Sequence, residues 1–296
     1  MGRGKNINLF LMDGRASGRI KCTLANWTGV AYKIPRTQLD RTKGIDYLQQ
    51  TGIYLLFGTE EESGNPAVYI GQAGIRKNGQ GILNRLQEHT HGEKTYYWTE
   101  AVALTTSNNS FGPTEISYLE NRFHSMALAS RRYRVQNEVE PPHGNVTEEK
   151  ESELEEFIDY SRLIMGALGY KLFEPLSDDR EKDDEIQPTD TEPLLFCRRK
   201  GIEAMGRRSA EGFVLLKGSQ ISQSVNGSCS RTVILQRERA RAEGRIDANW
   251  RLLEDILFTS PSGAAQFAVG GSANGLTEWK DGRGTPLKEL ESKGEA

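Results

Sequence analysis

Five side chains between residues 54 and 120 are of the types a phosphodiester hydrolysis needs: Tyr54, Tyr69, Arg85, His89 and Glu120. That reaction calls for an activated water, charge stabilisation on the phosphoryl oxygens and help for the leaving alkoxide. An arginine offers a fixed fork of donors to phosphate oxygens. One carboxylate, with waters and substrate oxygens, is enough to hold a hard cation such as Mg²⁺. A tyrosine, with an unperturbed pKa of about 10, acts as a base only with help from cations or through water. A histidine can orient that tyrosine or share the proton. Singly, each residue also has an ordinary reading. The tyrosines can be cross-strand packing, Arg85 and His89 a solvated helix flank, and Glu120 a salt-bridge partner.

The elements around these residues read as follows. Gly52 to Gly58 (GIYLLFG) and Ala67 to Gln72 (AVYIGQ) are apolar and β-prone, and the acidic stretch Glu60 to Pro66 separates them. That is a hairpin signature. Period-two alternation buries Ile53, Leu55, Phe57, Val68 and Ile70 and sends Tyr54 and Tyr69 to the other face. Ile82 to His89 has helical spacing of apolar residues at 82, 83 and 86, with Arg85 and His89 four apart beside that stripe. A second helix is predicted from about Thr114 to Ala129, after Gly112-Pro113. Its stripe runs Ile116, Glu120, Phe123 and Ala127, so a carboxylate falls among positions that should be buried. Which tyrosine would be the base is open at this level.

In order along the chain, Gly52-Ile53-Tyr54, Tyr69-Ile70-Gly71, Arg85-x-x-x-His89 and Tyr118-Leu119-Glu120-Asn121 resemble the motifs of the GIY-YIG endonuclease superfamily. The resemblance covers roughly residues 52–131. It implies an α+β catalytic domain with a small three-stranded antiparallel sheet flanked by helices. It also implies Tyr54 and Tyr69 as the motif tyrosines, Arg85 as the helix arginine and His89 as the histidine of many members. Glu120 is then the single metal-binding glutamate, for Mg²⁺ or Mn²⁺, and the partner is DNA, with RNA left open. This chain carries Gln72 where some members have a lysine, and Arg76 to Gly81 lengthens the loop before Arg85. Two other readings are weighed: a non-catalytic nucleic-acid-binding protein that retains the fold, and an adaptor in a repair or defence complex.

The chain of 296 residues is long enough for two domains. Residues 1–48 read as an N-terminal β-appendage, with strands at Asn8 to Met12 and Gly18 to Leu24 about an Asp13-Gly14 turn, and a third near Val30 to Ile34. Residues 49–140 form the domain of the motifs. Residues 141–176 hold an amphipathic docking helix, Glu148 to Leu168, and residues 177–193 read as an acidic flexible linker. Residues 194–296 read as a second α+β domain, with strands Leu194 to Arg199 and Gly212 to Lys217, a basic helix Thr232 to Arg241 and a helix from near Ser262. Its blocks GFVLLKGS, SPSGAAQFAVGGSANG and EWKD resemble an uncharacterised domain often fused to GIY-YIG nucleases. Arg231, Arg237, Arg239 and Arg241, with Trp279 for stacking, are its candidate nucleic-acid contacts, and a solvated helix face with a core tryptophan is the equal alternative.

Net charge is −3, which by itself argues against a nucleic-acid partner. The distribution reverses this, because residues 141–193 carry 16 acidic and 5 basic side chains, leaving each flank at +4. No window has the length of a membrane span, and the first residues lack the apolar core of a signal peptide, so a cytoplasmic protein with no membrane partner is expected. Three widely spaced cysteines argue against a disulfide framework or a zinc site.

Overall fold

A computed structural model describes residues 4–60, 64–74, 81–91, 97–176, 192–199 and 201–294. The acidic turn at 61–63, the lengthened loop at 75–80 and the expected linker at 177–191 lie outside the described residues. The chain divides into two compact units, Met1–Pro175 and Leu176–Ala296, and both are mixed α and β. None of the described helices is long and apolar enough to cross a membrane.

The first unit is built on a seven-stranded sheet. Its strands are β1 (Ile7–Leu11), β2 (Ile20–Leu24), β3 (Gly29–Pro35), β4 (Gly52–Thr59), β5 (Pro66–Ala73), β6 (Trp98–Thr106) and β7 (Arg134–Val135), in the spatial order β1-β2-β3-β6-β4-β5-β7. Neighbours are antiparallel except for the β5–β7 pair. In place of a three-stranded sheet with an N-terminal β-appendage packed on it, the first unit has one seven-stranded sheet. Strand β3 pairs along β6 from Gly29↔Thr106 to Pro35↔Glu100, so the N-terminal strands extend the same sheet. The reason is edge chemistry: β6 has a full row of backbone groups beyond β4, and β3 satisfies them. The β1–β2 connection is also longer than a two-residue turn, closing through a Met12 N–H to Arg19 carbonyl bond of 3.0 Å.

Both faces of the central strands β3, β4, β5 and β6 are covered, while the edge strand β1 is exposed. Ile53, Leu55, Phe57, Val68 and Ile70 pack against helices α2 (Pro113–Ser130) and α3 (Glu148–Ala167). Tyr54, Leu56, Ala101 and Ala103 face two short 3-10 helices, Arg36–Thr42 and Asp46–Gln49, and helix α1 (Ile82–Glu88). This explains why β4 reads as a continuous apolar run rather than an alternating one. Helix α2 starts at Pro113, and the Glu115 carboxylate accepts the Gly112 N–H at 3.1 Å. Thr147 caps α3, whose first turn carries Glu148, Glu149 and Glu151 against the positive end of the helix dipole. Helix α3 joins this core through Leu154, Phe157, Ile158, Ile164 and Met165.

The second unit has a four-stranded antiparallel sheet in the order β11-β10-β9-β8. Its strands are β8 (Leu195–Arg199), β9 (Ile202–Ser209), β10 (Gly212–Leu215) and β11 (Ile256–Phe258). Helices α4 (Arg231–Ala242), α5 (Pro261–Val269), α6 (Gly275–Glu278) and α7 (Leu287–Gly294) complete it. Strand β9 is one the sequence does not reveal, because IEAMGRRS lacks β-branched residues after its first position. Ser260 caps α5 by accepting the Gly263 N–H at 3.1 Å, placing its start where the Ser-Pro signal put it.

Candidate functional site

The antiparallel register sets Tyr54 opposite Gly71 and Leu56 opposite Tyr69, so the two tyrosines are diagonal neighbours on one face of the sheet. Their ring centroids are 6.2 Å apart. The Tyr54 ring lies across Gly71, and a Cβ at position 71 would collide with the Tyr54 hydroxyl. Only glycine leaves that space. Gly52 is tight for a similar reason, since a Cβ there would run into the Leu104 carbonyl and Ile82.

Ile82, Leu83 and Leu86 anchor α1 on the same face, which brings its C-terminal end to the tyrosines. His89 is the C-cap residue of that helix. Its Nε2 lies 2.8 Å from the Tyr54 hydroxyl, and its ring is 5.4 Å from Tyr54 and 5.1 Å from Tyr69 by centroid. Arg85, one turn earlier, pairs with Glu88 at 2.7 Å and lies within the electrostatic reach of both tyrosines.

Glu120 arrives from the other layer, around the free edge of β5. Among the described residues, strand β7 pairs with β5 only at Ala67 and Val68, and beyond it the Asn137 side chain takes both backbone groups of Ile70, at 3.1 and 2.7 Å. The edge from Gly71 onward is thus open to α2. There Gln72 Nε2 donates to Glu120 Oε2 at 2.9 Å, and the carboxylate residue is 9% exposed. All five residues singled out from the sequence are brought together, supplied by β4, β5, α1 with its cap, and α2. Gln72 joins them. Alternation puts it on the α2 face of β5, and that was the signal available in the sequence.

The environment shifts each group for a physical reason. Burial, then Tyr69 and Glu120, push the Tyr54 hydroxyl well above its ordinary value, against the opposing Arg85. Tyr69 is also raised, by burial and then Glu120. His89 is lowered by burial and by Arg85. At neutral pH the phenols therefore keep their protons and the imidazole is neutral. The hydrogen bond at 2.8 Å is then Tyr54 O–H donating to Nε2, with the ring proton assigned to Nδ1. Burial raises Glu120, opposed by Gln72 and Arg85. Arg85 lies above its ordinary value: burial would lower it, and Tyr54 and Glu88 outweigh that.

No group of three or more His, Cys, Asp or Glu side chains with metal-binding spacing is present among the described residues. A lone buried glutamate facing hydroxyls does not suit zinc, which takes four N or S ligands in structural sites and three protein ligands in catalytic ones. It does suit Mg²⁺ or Mn²⁺, which keep most of their waters.

The second unit corrects two expectations. Trp279 is 0% exposed, stacks near Phe213 at 4.6 Å and donates its indole N–H to the Pro261 carbonyl at 2.9 Å, so it is a core residue and offers no face to a base. Arg237 is 2% exposed and donates to the Phe267 and Ser222 carbonyls. It ties α4 to the C-terminal end of α5, where the helix dipole favours a cation. Arg231, Arg239 and Arg241 remain on exposed positions of α4, with Arg239 paired to Glu243 at 3.5 Å and Arg241 over the Trp250 ring at 4.7 Å. In the first unit, Arg36 is half-buried and bonded to main-chain carbonyls, while Arg41 and Lys43 stay in solvent.

Residues 195–291 match a family described as a domain of unknown function (DUF4357). No curated protein and no solved structure matches the chain.

Proposed function

We propose that the first unit is a metal-dependent endonuclease of the GIY-YIG kind, hydrolysing DNA phosphodiesters, with the second unit contributing to substrate choice. The observation that carries this is the Tyr54–His89 bond of 2.8 Å held beside Tyr69, Arg85 and Glu120. Packing alone has no need of a buried carboxylate, a buried tyrosine bonded to a half-buried imidazole and an arginine at one sheet edge.

Glu120 would hold one Mg²⁺ or Mn²⁺, which when bound supplies Lewis-acid stabilisation of the phosphoryl oxygens. Arg85 keeps donors beyond the one given to Glu88, and these meet phosphate charge as it grows. Tyr54 is 0% exposed and Tyr69 half-buried, so Tyr69 is the tyrosine that can face a water. Its ring lies beside that of Tyr54, with centroids 6.2 Å apart, and the relay we propose runs between the two hydroxyls. As Tyr69 takes a proton from that water, its own proton passes to Tyr54, and the Tyr54 proton passes to His89 Nε2. Both phenols end protonated, and the charge rests on an imidazolium. Gln72, a neutral donor, fixes the Glu120 carboxylate without adding a positive charge beside it.

The test is incubation of the full chain with end-labelled duplex, branched and single-stranded DNA and with RNA, with Mg²⁺, Mn²⁺ or EDTA. Metal-dependent internal cleavage supports the reading. Salt-sensitive binding to the same panel without cleavage would favour a binding protein that retains the fold.

A further inference from the structure

The last carbonyls of a helix have no partners within it. At the end of α1 the carbonyl of the C-cap residue His89, and that of Thr90 just beyond it, are taken by side chains from outside the helix. Trp98, at the start of β6 and 1% exposed, donates its indole N–H to the His89 carbonyl at 3.1 Å. Arg36, at the head of the first 3-10 helix, donates through Nη2 to the Thr90 carbonyl at 3.1 Å and through Nη1 to the Trp98 carbonyl at 3.3 Å. Its guanidinium carbon also sits 4.8 Å from the Trp98 ring centroid. One planar fork thus spans two main-chain segments and lies on the aromatic ring that holds a third point.

A helix of seven residues needs such a restraint. Two turns do not hold themselves in water, and helix ends fray first. The His89 ring reaches Tyr54 from the very end of that helix, so a shift of its backbone moves Nε2 off the hydroxyl. We propose that Arg36 and Trp98 are positioning residues, which clamp the main chain at His89–Thr90 and so keep the imidazole on Tyr54. The effect on rate rests on the function proposed above; the effect on the His89 ring does not. The clamp also makes the N-terminal strands part of the centre, because Arg36 directly follows β3.

Arginine could serve instead as a phosphate anchor, and charge alone would then suffice. A lysine keeps the charge but cannot span two carbonyls with one planar group. The experiment compares Arg36→Lys, Arg36→Ala and Trp98→Phe in the full chain. The ring resonances of His89 are assigned by NMR among the four histidines, with melting checked in parallel and single-turnover cleavage in Mg²⁺ measured beside them. The clamp predicts that all three variants shift or broaden His89 while His124 and His143 stay in place. It predicts a loss of about 10- to 100-fold in single-turnover rate at saturating DNA, with Kd for DNA unchanged. His89 resonances that match the parent in Arg36→Lys and Trp98→Phe overturn the clamp, whatever the rates. A Kd defect in Arg36→Ala that Arg36→Lys rescues makes Arg36 a phosphate anchor and also overturns it. If the parent chain cleaves nothing, the resonances still decide the clamp, and only the nuclease reading fails.

Discussion

Replacing Glu120 by glutamine should stabilise the folded protein at neutral pH while removing the proposed cleavage. The glutamate is 9% exposed and receives a side-chain hydrogen bond from the neutral Gln72 amide. Burial raises its pKa above the ordinary 4.5, so the folded chain disfavours the charged form. The sign follows from linkage: the penalty is present at pH 7 and vanishes below the ordinary value, where folded and unfolded chains are both protonated. In Glu120→Gln the new side chain would keep the Gln72 contact through its amide oxygen and lose the charge. Partly compensated burial of a polar group costs roughly 1–3 kcal/mol, and the low end, about 1 kcal/mol, is expected because Gln72 and Arg85 offset part of it. For a unit of 175 residues that is a rise in Tm of about 2–4 °C. Differential scanning calorimetry at pH 7 and pH 4 measures it, and the gap between the two proteins should close at the lower pH. Adding Mg²⁺ should raise the Tm of the parent only, by a stabilisation of about 1.4 kcal/mol at ten times its Kd. A variant less stable than the parent at pH 7 would refute the reasoning and make Glu120 a structural carboxylate.

Other outcomes follow from the same geometry. Arg85→Ala should slow the proposed single-turnover cleavage about a hundredfold or more with little change in Kd, if Arg85 meets charge that grows in the transition state. Its ion pair with Glu88 is exposed, so Tm should barely move, and a pure affinity loss would make Arg85 a phosphate anchor. Because burial and Arg85 lower the His89 pKa, the acceptor form prevails above 6.5, and the acid limb of the pH–rate profile should fall below that value. A limb above 6.5 contradicts the relay. Gly71→Ala should cost about 1–3 kcal/mol by displacing the Tyr54 ring, with a rate loss, and a silent variant would undo the close packing. Trp279→Ala should cost about 3–5 kcal/mol as a core deletion, whereas Arg231→Ala with Arg239→Ala should spare Tm and reduce the salt dependence of DNA binding. Affinity unchanged by the double variant at two salt concentrations would remove α4 from the interface.

What the sequence reveals here is what local periodicity encodes. Alternation separates Tyr54 and Tyr69 from the core face of their strands, helical spacing places Arg85 and His89 together, and Glu120 stands out on an apolar stripe of α2. What it hides is decided by long-range pairing. The first three strands read as an appendage because nothing in Val30 to Ile34 says that β6 is their partner. Nothing local marks Arg36, because its carbonyl partners lie 54 and 62 residues away. Arg237 and Trp279 carry residue types common at nucleic-acid surfaces, but α5 and the Pro261 carbonyl claim them. Strand β9 is stabilised by pairing on both sides despite poor local propensity.

Whether Glu120 and the Tyr54–His89 pair form one metal-dependent hydrolytic centre is decided by single-turnover cleavage by the parent, Glu120→Gln and Tyr54→Phe with and without Mg²⁺. The parent should cleave only with metal, Glu120→Gln should not cleave, and Tyr54→Phe should lose a factor of about 10²–10⁴ with the fold intact. Metal-dependent cleavage at the parental rate by either folded variant would contradict it.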